Sequence, residues 1–457
     1  MRRLRIHGGN PLRGKVRVPG DKSIGHRALI FGALAEGVSR IQGLPRSRDL
    51  LATRNALGSL GVKIVEEGPE RICIHGVGLD GLRMPERPIE CENSGTTMRL
   101  LAGVLCGQRF GTRLVGDSSL SRRPMGFLVS ALRARGAHIG GTRWPVPKGS
   151  HADPDELYPP ISIAPLVEGE RLAPLEFHSP NMSAQLKSAV LLSGLYAEGP
   201  TVVYEALLSR DHTERMMLAL GMPLQTTGTI SLFDPTSWAR CWEGFDWQIP
   251  GDLSSAAFLL VAGAVVPGSE IEIENVGTNP TRTGLLEVMR WCGVRLQVAP
   301  RGEGAGHEPW AEVRVRSGVQ SPFRVGAELA LRMIDEVPIA CVLALAASGR
   351  SEIRDVQALR FKESDRIENT AAFLRAMGAQ VVVLEDGLIV EGKSKLHGTR
   401  IDPQGDHRIA MAAVVAALMA EGETVVENAE CIEVSYPNFV ETLQSLGANI
   451  EIEEEKS

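Results

Sequence analysis

Three cations stand where a chain does not ordinarily put charge. Lys22 and Arg27 lie in "VPGDKSIGHRALIFGALAEG" and Arg408 in "DHRIAMAAVVAALMAEG", each at the mouth of a run that is otherwise almost wholly apolar. Charge there costs desolvation unless an anion meets it, and a helix start, with its unpaired N–H groups and dipole, favours an anion. Gln185 in "SAQLKSAVLL" and Gly95 in "NSGTTMR" hold similar places, and Gly95 admits close backbone approach of a phosphate or carboxylate. The Ser, Thr, Asn and Asp residues at these starts, among them Ser23, Ser94, Ser183, Asp252, Asp335 and Asp406, are each ordinary capping residues taken singly. Further charge lies in "SLSRRPM", where Arg122 and Arg123 precede Pro124 at the start of an outer helix, and in "LRFKESDRIEN", with Lys362, Glu363 and Arg366. That run reads first as a solvated face; if helical, it puts Lys362 and Arg366 side by side. "SRDHTERM", with Ser209 and Arg210, is a polar helix start of the same ambiguous kind. Together, cations in both halves of the chain suit two small anions held between two domains.

The elements that must position these residues repeat six times. An Ala/Leu-rich helical stretch stops at a glycine and runs into a strand, as in "ALIFGALAEG" then "VSRIQG" and "PIACVLALAASG" then "RSEIRDV". An amphipathic helix then ends at Gly61, Gly136, Gly221, Gly293, Gly378 or Gly447, 69 to 85 residues apart, where a C-cap needs a left-handed backbone. That spacing suits a small β-α-β-α unit. The apolar helices belong inside and the amphipathic ones outside. "IPGDLSSAAFLLVAGAVVPG" repeats the Pro-Gly-Asp before Lys22, with Leu253 in place of the lysine and no arginine. The frame is therefore structural and the cations functional. Three units fall on each side of this echo, which predicts two similar domains, residues 19–249 and residues 1–18 with 250–457, hinged near Pro19-Gly20 and Pro250-Gly251, with the active site in the cleft between them.

The chain has 457 residues, 43% of them hydrophobic, and a formal net charge of −6. It can bury a large core, and its charge supports neither nucleic-acid nor membrane-surface binding. Seven cysteines without C-x-x-C spacing argue against a disulfide framework or a zinc site. No apolar run reaches a bilayer-spanning length and no signal region follows the basic N-terminus. The expectation is a soluble, cytoplasmic monomer acting on small molecules.

The motifs "PGDKSIGHRA", "NSGTTMRLL", "SRRPM", "SAQLKSAVLL", "DEVPIA", "KESDRI" and "DHRIAMA" resemble, in order and along essentially the whole chain, those of the 5-enolpyruvylshikimate-3-phosphate synthase family. The resemblance implies an α/β (α+β) fold of two similar domains, each of three βαβαββ units with buried helices. It also implies transfer of the enolpyruvyl group of phosphoenolpyruvate to the 5-hydroxyl of shikimate 3-phosphate, through a tetrahedral intermediate, with no metal or redox cofactor. Lys22, Ser23, Arg27, Ser183, Ala184 (through its backbone), Gln185, Arg210, Asp335 and Lys362 would then hold shikimate 3-phosphate. Lys22, Gly95, Arg123, Gln185, Arg366 and Arg408 would hold phosphoenolpyruvate. Asp335 resembles the family's base and Glu363 its proton donor, with Lys22 as cationic partner to both. Gly95 resembles the position that often decides sensitivity to the inhibitor glyphosate.

The chain departs from the family at Val434, where many members carry a lysine, and at Leu100 and Ala184, where the enteric branch has proline and serine. The related transferase acting on UDP-N-acetylglucosamine has Lys-Asn in place of Lys22-Ser23 and a reactive cysteine in a mobile loop, which none of the seven cysteines matches. A non-catalytic anion binder would do better without carboxylates such as Asp335 and Glu363 beside its cations.

Overall fold

A computed structural model describes residues 2–68, 70–143 and 155–454. They form six four-stranded sheets built to one plan. In each, two strands pair in parallel, and a third and fourth close the sheet antiparallel. The plan is plain in residues 175–233. Leu175–His178 runs parallel to Thr201–Tyr204 with the helix Ala184–Gly194 between them, and Ile230–Phe233 then pairs with both Thr201–Tyr204 and Leu224–Thr227. A parallel pair needs such a crossover, whereas the antiparallel closure needs only a short turn.

Three of the sheets recruit strands from distant sequence. Asp246–Gln248 supplies the missing first strand beside Glu36–Gln42. The N-terminal strand Arg2–His7 pairs with Glu423–Val426 and Asn449–Glu454, and Arg13–Arg17 pairs in parallel with Glu270–Gly277. Each compact unit is thus closed by chain that enters or leaves it. One unit comprises Lys22–Ile249 with Glu303–Glu308, the other Met1–Asp21, Pro250–Gly302 and Pro309–Ser457. Relative to the expected boundaries, the change of unit falls after Asp21 rather than before Pro19, and the Glu303–Glu308 segment belongs with the first unit.

In each unit the apolar helices form the core. Leu253–Val265, Val337–Ala346 and His407–Ala417 have nearly every residue buried, as does Lys22–Leu34 from Ile24 onward. Each fully buried Leu, Ile, Val or Phe contributes roughly 1.5–3 kcal/mol, which is why these helices can be apolar all round. The six glycines that end the outer helices all have positive φ, between 71° and 107°. Leu100 is fully buried in the core of the first unit. Val434 ends a short 3₁₀ turn, Ala429–Val434, that precedes the last outer helix.

The run "LRFKESDRIEN" is not one helix. A 3₁₀ turn, Gln357–Phe361, stops at an extended Lys362, and Asp365 caps a new helix, Arg366–Ala376, through the amides of Ile367 and Glu368. Asp365 competes for the backbone there, as a short carboxylate does before a helix. Lys362 and Arg366 therefore do not share a helical face; they meet through a common carboxylate. No helix among the described residues is long and apolar enough to cross a membrane.

Candidate functional site

The first unit gathers the starts of three buried helices. Lys22, first residue of its helix, donates from Nζ to Asp49 Oδ2 at 2.7 Å. One turn on, buried Arg27 donates to Ser23 O (2.9 Å), Thr213 Oγ1 (2.6 Å) and Ser188 Oγ (2.6 Å), tying its helix to Ala184–Gly194 and to His212–Ala219. Ser94 and Ser183 do act as caps, accepting from the amides of Thr97 and Leu186. Gln185 accepts from Arg99 Nη1 and donates to Thr96 Oγ1, both at 2.8 Å, so the second and third helix starts lie against each other. Gly95 opens the second helix beside Arg99 and Arg123: a Cβ added to it would stand 2.7 Å and 3.4 Å from their Nη1 atoms. Arg123 donates to Asn93 Oδ1 while Arg122 is exposed, which separates two neighbours that the sequence leaves equivalent. Burial, with Arg123 nearby, pushes Arg99 down to about 10, so it remains charged at neutral pH. Ala184 is the first residue of its helix, and Arg210 sits half-buried just before the helix His212–Ala219.

Behind this surface runs a chain of hydroxyls. His26 Nδ1 shares a 2.6 Å hydrogen bond with Thr53 Oγ1, Thr53 another of 2.6 Å with Thr97, and Thr97 donates to Ser94 Oγ at 2.8 Å. Burial pushes the His26 ring down to about 3, and it is therefore neutral.

The second unit centres on Asp335. This residue lies in a 3₁₀ turn, Ile334–Glu336, immediately before the apolar helix at Val337, and the cap position, Glu336, makes no side-chain cap bond. The Asp335 carboxylate instead faces cations: Arg366 Nη1 at 3.4 Å, Lys362 Nζ at 3.5 Å and Arg408 Nη2 at 3.9 Å, while Arg408 also donates to the Asp335 carbonyl. Arg366 is the hub. It donates to Glu363 Oε2 (2.6 Å) and Asp406 Oδ2 (2.8 Å), and Asp406 caps the last buried helix through the amide of Arg408. Burial disfavours the Arg366 charge, but Asp406, Glu363 and Asp335 outweigh it and raise Arg366 above its ordinary value. Burial likewise opposes the charge on Asp406, and Arg366 overcomes it, holding Asp406 below the usual carboxylate range.

Sequence reasoning passed over Asp49, Lys187 and Arg282. Arg282 explains the Pro-Gly-Asp echo: its guanidinium lies 2.7 Å from Asp21 and 3.0 Å from Asp252, the two aspartates of the duplicated motif, and donates to Ser254 Oγ. The two passes also exchange backbone bonds, Asp21 N to Pro250 O and Asp252 N to Pro19 O. A lone arginine in the polar turn "NPTRTG" carries no periodic signal; the repeated aspartates were the clue to a shared partner. Carboxylates also answer the desolvation problem at Lys22, Arg366 and Arg408, each of which faces one within the protein, whereas Arg27 is met by hydroxyl and carbonyl oxygens. Within its own unit Lys22 pairs with Asp49, and within the other Arg366 is the cation beside both Asp335 and Glu363.

Such clusters can bind anions and move protons, and the chain as a whole is similar to known proteins. A solved EPSP synthase from Acinetobacter baumannii superposes with a TM-score of 0.86 at 37% identity, covering 99% of this chain and 100% of that one. Curated relatives called 3-phosphoshikimate 1-carboxyvinyltransferase include one from Synechococcus sp. (strain RCC307), 45% identical over 96% of this chain and 98% of its own length. Another, from Bacillus thuringiensis, is 41% identical over 96% and 97%. With the family profile matching residues 6–443 as well, the chain belongs to the EPSP synthase (3-phosphoshikimate 1-carboxyvinyltransferase) family of transferases.

Proposed function

We infer that this chain passes the enolpyruvyl group of phosphoenolpyruvate to the 5-hydroxyl of shikimate 3-phosphate with release of phosphate. The observation that carries this reading is the carboxylate of Asp335 set among Lys362, Arg366 and Arg408 with Glu363 on the same guanidinium. Structural ion pairs alone do not call for two acids on one anion-binding surface; an addition and elimination that moves protons does. In this reading Lys22, Ser23, Arg27, Ser183, Ala184, Gln185 and Arg210 meet shikimate 3-phosphate from the first unit, with Asp335 and Lys362 from the second. Lys22, Gly95, Gln185 and Arg123, with Arg366 and Arg408, meet phosphoenolpyruvate.

Asp335 takes the proton of the attacking hydroxyl as its oxygen bonds to the central carbon of phosphoenolpyruvate, and Glu363 delivers a proton to the methylene carbon. Loss of phosphate and of a methyl proton then restores the double bond. The 2.6 Å contact with Arg366 favours the carboxylate form of Glu363, so its proton must be supplied once the ligands fill the site. The reading is of a monomer in the cytoplasm. Phosphate release from phosphoenolpyruvate plus shikimate 3-phosphate, with UDP-N-acetylglucosamine as control acceptor, tests it; turnover with the control alone would refute it.

A further inference from the structure

We propose that Lys187 is a positioning residue, which holds the segment Glu205–Glu214 so that Ser209 and Arg210 meet the phosphate of shikimate 3-phosphate; this rests on the functional reading above. Lys187 lies one turn into the helix Ala184–Gly194 and is fully buried. Its ammonium reaches Glu205 Oε2 at 2.7 Å, Glu214 Oε1 at 2.7 Å and the Ser209 carbonyl at 3.4 Å. Glu205 directly follows the strand Thr201–Tyr204, and Glu214 lies in the helix His212–Ala219. One ammonium therefore fastens the connecting segment at both ends and near its middle, and its three N–H groups match three acceptors.

The neighbouring residues knit the same elements. Ser188 accepts from Arg27 and from Thr213, so the helix that presents Ser183 and Gln185, the helix that presents Lys22 and the start of the Glu214 helix are locked together one residue from Lys187. Stability does not account for the arrangement. Two carboxylates on one cation leave negative charge in a dry place, with Glu205 Oε1 and Glu214 Oε2 each lacking a partner among the described residues. Well-packed apolar side chains of like volume would be at least as stable. What a directional tie adds is geometry, and the residue it fixes, Ser209, is itself buried with a hydroxyl that has no partner among the described residues.

The test is titration calorimetry of the full chain with shikimate 3-phosphate and, separately, with shikimate, which lacks the phosphate. In Lys187→Met, affinity for shikimate 3-phosphate should fall by about tenfold or more while that for shikimate stays within about twofold, the pattern of a misplaced phosphate ligand. Should Lys187→Met fail to fold, Lys187→Met with Glu205→Gln and Glu214→Gln, which removes all three charges together, carries the same expectation. Unchanged affinity for shikimate 3-phosphate in a folded variant, or an equal loss for both ligands, overturns the proposal. Ser209→Ala with Arg210→Ala separates the two levels. If that pair leaves the phosphate preference intact, the acceptor site itself is misassigned; if it abolishes the preference and Lys187→Met does not, only the positioning role fails.

Discussion

Arg366 Nη2 stands 2.6 Å from Glu363 Oε2, and the same guanidinium bridges to Asp335 and Asp406. One buried cation thus sets the position of both acids assigned to the reaction. The two carboxylates are held by a single rigid fork, which no substitution by lysine would reproduce.

Asp335→Asn should keep shikimate 3-phosphate binding within about an order of magnitude and lower turnover by roughly 100-fold or more, the scale of a lost acid–base group. The amide keeps size and shape but cannot take a proton. Steady-state kinetics with calorimetry decides; near-normal turnover would remove Asp335 from the chemistry.

Arg282→Met should cost about 3–5 kcal/mol in urea unfolding, because it leaves Asp21 and Asp252 buried without their shared cation. Adding Asp21→Asn and Asp252→Asn should recover much of that loss. A single variant as stable as wild type would mean that Arg282 does not hold the two Pro-Gly-Asp passes together.

His26 gives an acid-side signature. Its folded value, about 3, lies below the ordinary histidine value near 6.5, so on acidification the unfolded chain takes up this proton first. The stability due to the neutral ring is complete above that ordinary value and drains away as pH falls towards about 3, at up to roughly 1.4 kcal/mol per pH unit. His26→Gln should flatten the stability profile between about pH 6 and pH 4 by about 1 kcal/mol per unit. Parallel profiles for the two proteins would contradict a buried neutral His26.

Gly95→Ala should fold, since Gly95 has no positive φ and the nearest obstacle to a Cβ is the movable end of Arg99. The displaced Arg99 and the added methyl group narrow the space beside Arg123. Glyphosate, longer than phosphoenolpyruvate, should lose more affinity than the substrate. Equal inhibition constants for wild type and variant would place Gly95 outside that pocket.

The repeat was legible in sequence because its physics is local. A helix apolar on every face has to be buried, and a glycine that ends a helix has to reach positive φ, so six such pairs specify six units before any contact is known. Lys22, Arg27 and Arg408 were legible for a similar reason, as charge where charge is costly. What no local pattern carries is the identity of a partner. That Lys22 pairs with Asp49, that Arg366 stands beside both Asp335 and Glu363, and that Arg282 closes on two aspartates more than 200 residues apart follow only once the chain is folded. Nor could the charge run at Lys362 reveal that Asp365 would interrupt it as a cap. A buried cation is neutralised by whichever carboxylate the packing of helices and sheets brings within reach, and that choice belongs to the tertiary structure.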